Sequence, residues 1–181
     1  MSNQELIDVL NADGVATGEV VSRSKAHTDG LWHRACLCAV IDIENRILIQ
    51  QRNLHKDKFP GLWDISIAAH VLHGETSMGS IVRELNEEVG VQVGRKVIAK
   101  DFRFLTSFRN QMKINDNFLE NQFYDLFTYN LDCVADFKFN DSEVAAVEWA
   151  SYSRILELKN KGVFHPRTEW INPVLKLISE F

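Results

Sequence analysis

Four glutamates give the first chemical signal in this chain: Glu75, Glu84, Glu87 and Glu88, with Arg83 among them and Gly90 closing the segment. Carboxylate oxygens are the ligands preferred by hard divalent cations such as Mg²⁺ and Mn²⁺. Glu84, Glu87 and Glu88 sit within about one helical turn, and carboxylates crowded at that spacing repel one another. Arg83 reaches Glu87 at i, i+4, and one guanidinium offsets only part of the charge. A bound divalent cation supplies the rest.

Such a ligand set needs a helix to hold it. Across residues 77–89 the apolar side chains Met78, Ile81, Val82, Leu85 and Val89 recur at three- and four-residue steps. That spacing predicts an amphipathic helix with this stripe facing a core and Glu84, Glu87 and Glu88 on another face. Residues 63–71 have β-type composition in their middle, so the helix is entered from a strand through the loop 70–76.

The stretch 70–91, HVLHGETSMGSIVRELNEEVGV, resembles the Nudix box, G-x5-E-x7-R-E-U-x-E-E-x-G-U with U a bulky aliphatic. The resemblance implies an α/β/α sandwich around a mixed β-sheet, preceded here by an N-terminal β-hairpin. It implies metal ligation by Glu84, Glu87, Glu88 and the backbone carbonyl of Ala68, with Glu75, Arg83 and Gly90 as structural members of the motif. The general base is sought among Glu84, Glu87 and, outside the box, Glu120. One position departs, because Ala69 stands where the motif opens with glycine. A Cβ there is costly if φ is positive and nearly free if φ is negative.

The flanks HTDGLWHRA, KFPGLWDISIAAHVLHGE and LENQFYDLF resemble the branch of this superfamily that includes isopentenyl-diphosphate isomerase. In that branch the isomerase's metal site is built from three histidines and two glutamates. His33, His70 and Glu120 match three of those ligands, and His27 lies one residue out of step with a fourth. The isomerase's proton-transfer cysteine and glutamate correspond to Ala68 and Gln122, neither of which titrates, so isomerisation lacks both of its reacting groups. The expected function is metal-dependent hydrolysis of a diphosphate linkage in a nucleoside diphosphate derivative or another small organic diphosphate. The second reading is a catalytically weak domain that binds a nucleotide or phosphorylated metabolite; isomerase-like activity is the third.

Other features bound these readings. A chain of 181 residues with 45% hydrophobic content suits one well-buried domain, with residues 1–30 as hairpin and connecting segment and 151–181 as closing helices. The net charge of −5 gives no footprint for long nucleic acid. Cys36 and Cys38 alternate along a strand, face the same side, and read as buried reduced thiols. No apolar run spans a membrane and the first residues carry no secretory pattern, so a cytoplasmic location is expected; a homodimer is plausible only as the commonest assembly. Residues 6–9 and 18–21 predict a hairpin across Asp13-Gly14, and 22–30 a polar connection. Strands are expected at 34–43, 47–51, 96–107, 118–130 and 144–150, a turn-rich loop at 109–117, and helices near 153–159 and 169–179. Candidates to contact substrate are His33, Arg34, Arg52, Lys58, Trp63 and His70. Arg52, Lys56 and Lys58 lie in a basic loop able to meet phosphate charge. Trp32, Phe59 and Trp63 are candidates to stack on a base. His55, His73 and His165 are assigned no role.

Overall fold

The computed structural model describes residues 5–85, 87, 102–131 and 142–178. Its first unit is the antiparallel pair β1 (Leu6–Leu10) and β2 (Ala16–Ser22), turned at Asn11, whose side chain accepts from Asp13 and Val15, and at Gly14 with φ 80°. The expected polar connection is instead a seven-residue helix, α1 (Arg23–Asp29). Ser22 caps its start by accepting from the Lys25 amide, and Gly30 ends it at φ 65° with its N–H on the Ala26 carbonyl. These two caps satisfy backbone groups that a helix this short leaves open.

The remaining strands are β3 (His33–Ile41), β4 (Ile47–Arg52), β5 (Trp63–Ile65), β6 (Ile67–His70), β7 (Phe102–Asn115), β8 (Phe118–Asn130) and β9 (Val144–Ala150). They form one seven-stranded sheet in the order β5-β4-β3-β8-β7, with β6 also paired to β3 and β9 to β4. β3 and β8 run parallel and the other pairs antiparallel, which makes the sheet mixed. The segment 63–71 is broken at Ser66, whose hydroxyl accepts from the Val40 amide and donates to the Leu48 carbonyl, replacing ladder bonds at the break. Of the turn-rich loop expected at 109–117, residues 109–115 are the outer half of β7, paired with β8, and residues 116–117 make the turn. Its polar side chains alternate toward solvent, and cross-strand pairing overrides their turn-like composition.

β3 shows how the layers form. Ala35, Leu37, Ala39 and Ile41 face one apolar cluster, while Cys36, Cys38 and Val40 face another. A strand buried on both faces is continuously apolar, as this one is. On the first face lie α3 (Tyr152–Asn160) and α4 (Ile171–Ile178), which contribute Ile155, Leu158, Ile171 and Val174. On the second lies α2 (Ser77–Glu84), contributing Ile81, with Leu85 at its end. The arrangement is an α/β/α sandwich, and Cys36 and Cys38 are free and buried under α2 as expected. Among the described residues no helix is long and apolar enough to cross a membrane.

Candidate functional site

Helix α2 starts at Thr76, whose hydroxyl accepts from the Gly79 amide. Arg83 projects from its last turn into the carboxylates. Its Nε donates to Glu75 Oε1 at 3.0 Å and its Nη2 to Glu75 Oε2 at 3.3 Å, while Nη1 donates to Glu84 at 2.6 Å and Glu87 at 3.4 Å. Ser80 adds a 2.6 Å bond to Glu75. Burial pushes the Glu75 carboxyl up, but the bonds from Arg83 and Ser80 outweigh it and hold it below the usual range. Glu84 goes the other way: burial raises it despite Arg83. A bound cation would relieve the cost of burying the Glu84 carboxylate, which suits this residue to metal ligation. The start of α2 is pinned separately, by Ser77 on Asp125 (2.6 Å), which also accepts from Arg34 at 2.9 Å.

Glu84 and Glu87 form one wall of a cavity of about 290 Å³, closed at the sheet by Ala68, Ala69 and His70. Arg23, Arg52 and Lys56 also line it. Carboxylates and cationic side chains bordering one space suit a ligand that is itself a metal–polyanion pair: the metal meets the carboxylates and the phosphate oxygens meet the cations. The described ligand set of Glu84, Glu87 and the Ala68 carbonyl is all oxygen, which fits Mg²⁺ or Mn²⁺.

Arg23, Arg52, Lys56, Ala68, Ala69 and His70 also border a second cavity of about 460 Å³. Where it meets the sheet, three histidine rings converge, with one nitrogen of each within 4.8 Å of the others. His33, His70 and Gln122 come from β3, β6 and β8, at positions that share one sheet face with Ala35, Ala68 and Tyr124. His27 comes from α1, so the capped helix is what brings in the histidine that the sequence left out of step. His27 Nδ1 donates to the Leu119 carbonyl at 3.1 Å and His33 Nδ1 to the Leu31 carbonyl at 2.9 Å. Burial lowers both rings to about 4, so both are neutral with bare Nε2 atoms.

Those bare nitrogens meet a network that neutral groups cannot complete. Gln122 Nε2 lies 3.0 Å from both His33 Nε2 and His70 Nε2, and His70 Nε2 lies 3.0 Å from His27 Nε2. If His70 Nε2 carries a hydrogen for His27, it cannot accept from Gln122. If it is bare, two lone pairs face each other. Turning the Gln122 amide over sets its oxygen against His33, which is no better. A cation taken up by the three Nε2 atoms removes the conflict between His27 and His70, and in the same cavity Glu120 Oε2 is buried with no partner among the described residues. Three neutral imidazoles and a carboxylate suit a first-row divalent metal. The residues therefore fit the metal site that the isomerase branch implies, with Gln122 in the place of one glutamate.

A buried chain continues from Gln122 to the C-terminal segment. Tyr124 donates to Gln122 Oε1 and accepts from Arg167 Nη1 at 2.9 Å, and Arg167 Nη2 grips both Asp64 oxygens at 3.1 and 2.9 Å. Burial alone would raise the Asp64 carboxyl; Arg167 outweighs it and holds it below the usual range.

The structure thus brings Glu75, Arg83, Glu84, Glu87, Ala68, Arg52 and His70 around the smaller cavity, and His33, Glu120 and Lys58 around or beside the larger one. Arg34 lies on the opposite sheet face, engaged with Asp125, and Trp63 packs half-buried against the apolar core; neither borders either of these two cavities. Glu88 and Gly90 lie outside the described residues. Ala69 sits in β6 with negative φ, since the described non-glycine residues at positive φ are Asn45 and Phe59. Its methyl packs in the cluster under α2. Sequence reasoning missed Arg23, Asp64, Tyr124, His165 and Arg167 as cavity residues. The partners Asp64 and Arg167 are a hundred residues apart, and no local pattern links them.

The NUDIX domain model matches residues 31–170, and the chain belongs to the Nudix family. It is 34% identical over 163 residues to Nudix hydrolase 3 of Arabidopsis thaliana, covering 87% of this chain and 21% of that protein. It thus spans about a fifth of that relative's length. It is 27% identical to an isopentenyl-diphosphate Delta-isomerase of Serratia proteamaculans, covering 95% of this chain and 90% of the relative. Among solved structures, a protein of Deinococcus radiodurans superposes with a TM-score of 0.70 at 18% identity, covering 97% of this chain and 98% of the other. The Escherichia coli dihydroneopterin triphosphate pyrophosphohydrolase gives 0.57 at 14% identity, covering 82% and 96%. At such identities these two likenesses concern the fold.

Proposed function

We propose that this chain is a divalent-metal-dependent hydrolase that cleaves the diphosphate linkage of a small organic diphosphate. The observation that carries the reading is the smaller cavity, where Glu84 and Glu87 share one space with Arg23, Arg52 and Lys56. Arg83 meets Glu84 and Glu87, Arg23 meets Glu5 and Lys56 meets Glu143, so the space is bordered by paired charges of both signs, which a metal-bound diphosphate engages on both sides and a neutral substrate on neither. Mg²⁺ or Mn²⁺ held at these carboxylates would neutralise phosphoryl charge and lower the pKa of bound water. The rest is done by the chain itself. Arg23, Arg52 and Lys56 hold the phosphate oxygens, and Glu75 and Arg83 fix the carboxylates in place. The proton of the attacking water passes to a carboxylate, Glu84 or Glu87 at the smaller cavity, with Glu120 as the candidate from the larger one. Glu88 completes the ligand set by its place in the motif. The Arabidopsis relative, named a hydrolase, supports this reading over isomerisation, as do Ala68 and Gln122 in place of proton-transfer residues.

The test is phosphate release from a panel of organic diphosphates with Mg²⁺ or Mn²⁺, for the wild type and Glu87→Gln. Expected is turnover that needs the metal and falls about 100-fold or more in the variant. Ligand binding without metal-dependent turnover would establish the binding-domain reading instead. Solvent deuterium appearing in isopentenyl diphosphate would mean that Ala68 and Gln122 had been misjudged.

A further inference from the structure

The larger cavity adjoins the diphosphate chamber, and its far end is neither hydrocarbon-like nor fully paired. Arg167 is 5% exposed; its guanidinium donates once to Tyr124 and twice to Asp64, and its Nε–H is buried without a partner among the described residues. His165 is 3% exposed, and its Nδ1 accepts the Arg167 backbone N–H at 3.1 Å. Burial lowers this ring to about 4, so it is neutral and its one hydrogen sits on Nε2. Among the described residues nothing accepts that hydrogen. Both residues border the cavity.

Two phenyl rings complete the chamber. Phe59 meets the His165 ring edge-on at 4.3 Å, and it is held at φ 48°, a left-handed conformation that costs a side chain of this size about 1–2 kcal/mol. Phe118 lies under Lys58 Nζ at 4.2 Å. A buried ion pair, a His165 N–H in want of an acceptor and the Phe59 ring, with Phe118 held between His27 and Lys58, together describe a pocket for a ring-shaped group that carries oxygen acceptors.

We propose that this cavity recognises the organic half of the substrate, that this half is a hydroxyl- or carbonyl-bearing ring such as a sugar rather than a hydrocarbon, and that His165, oriented by the Arg167 backbone N–H, determines that specificity. The proposal rests on the diphosphate reading of the adjoining chamber. A hydrocarbon seated here would remove water from the His165 Nε2–H and give nothing back, and an unpaired buried polar group is what makes such a site reject the analogue that lacks the oxygen.

The test uses two non-hydrolysable ligands that differ only in the organic half, the methylenediphosphonate esters of ribose (at O5) and of isopentenol, titrated calorimetrically into the metal-loaded protein. Affinities are referred to methylenediphosphonate alone on the same variant. Expected is a preference of about tenfold or more for the ribosyl ester, lost in His165→Phe and partly kept in His165→Gln, whose amide can still accept from the Arg167 N–H and donate into the cavity. Thermal unfolding of each variant checks that it is folded, and His165→Gln carries the test if His165→Phe is not. Equal or tighter binding of the isopentenyl ester overturns the proposal, as does a preference that survives in a folded His165→Phe. Preference without turnover of the hydrolysable esters would sink the hydrolase reading alone; turnover without preference would sink this inference alone.

Discussion

Restoring the motif glycine, Ala69→Gly, should weaken this protein and gain nothing in activity. The residue lies in β6 opposite Cys36, is 5% exposed, and has negative φ, so glycine relieves no strain. The change removes a methyl from the cluster that holds Ile81 and Leu85 of the metal-helix segment against the sheet. A buried methyl contributes about 0.8 kcal/mol, and glycine in a strand costs about 0.5–1 kcal/mol more through the entropy of the unfolded chain. The sum, about 1.5 kcal/mol, corresponds to a fall of about 3–6 °C in Tm for a chain of this size. Thermal and urea unfolding measure it, alongside kcat/KM at saturating Mg²⁺. A variant as stable as the wild type, or one with raised kcat/KM, would refute the reasoning by showing that the Ala69 Cβ is strained or obstructs the site.

Two further outcomes follow from the same geometry. Arg83→Ala removes the hub that joins Glu75, Glu84 and Glu87, so the apo protein should lose about 1–2 kcal/mol, less than a fully buried pair because Arg83 is 27% exposed. Its kcat/KM should fall about tenfold and recover in part at high metal concentration; a loss that no metal concentration relieves would mean Arg83 touches the reacting phosphate. Stability should also depend on His165, whose folded pKa of about 4 lies below the unfolded 6.5. The unfolded chain then binds the extra proton first, so His165 favours folding above pH 6.5 and that contribution is lost as pH falls from 6.5 toward 4, by about 3 kcal/mol in all. Urea midpoints across this range should fall less steeply in His165→Gln, and an unchanged slope would refute the assignment.

What could be read from the sequence divides by distance along the chain. The helix carrying Glu84, the strand that feeds it and the alternation of Cys36 and Cys38 are local periodicities, and local periodicity survives folding unless pairing overrides it. It was overridden in β7, where Arg109, Gln111 and Lys113 look like loop residues but pair with Phe123, Asn121 and Leu119. It was also missed in α1, because seven residues are too few for an apolar stripe, and only the caps Ser22 and Gly30 mark the helix. That miss hid His27. The Arg83 hub was legible from i, i+4 spacing, whereas Asp64 with Arg167 was not, since the pairing of β5 with β4 and the return of the chain after α3 decide it.

The strand β6 explains why one short segment serves both chambers. Its period of two sends Ala68 and His70 to the face shared by His33 and Gln122, and sends Ala69 to the face covered by α2. The same three residues therefore border the carboxylate chamber at the helix end and the histidine chamber on the sheet face. A cysteine at 68 would put a reactive group between the chambers; alanine leaves only a methyl and the backbone carbonyl there. Ala68 therefore lines both chambers without a titratable side chain, and the titratable groups stand on the walls: carboxylates on one side, neutral imidazoles on the other.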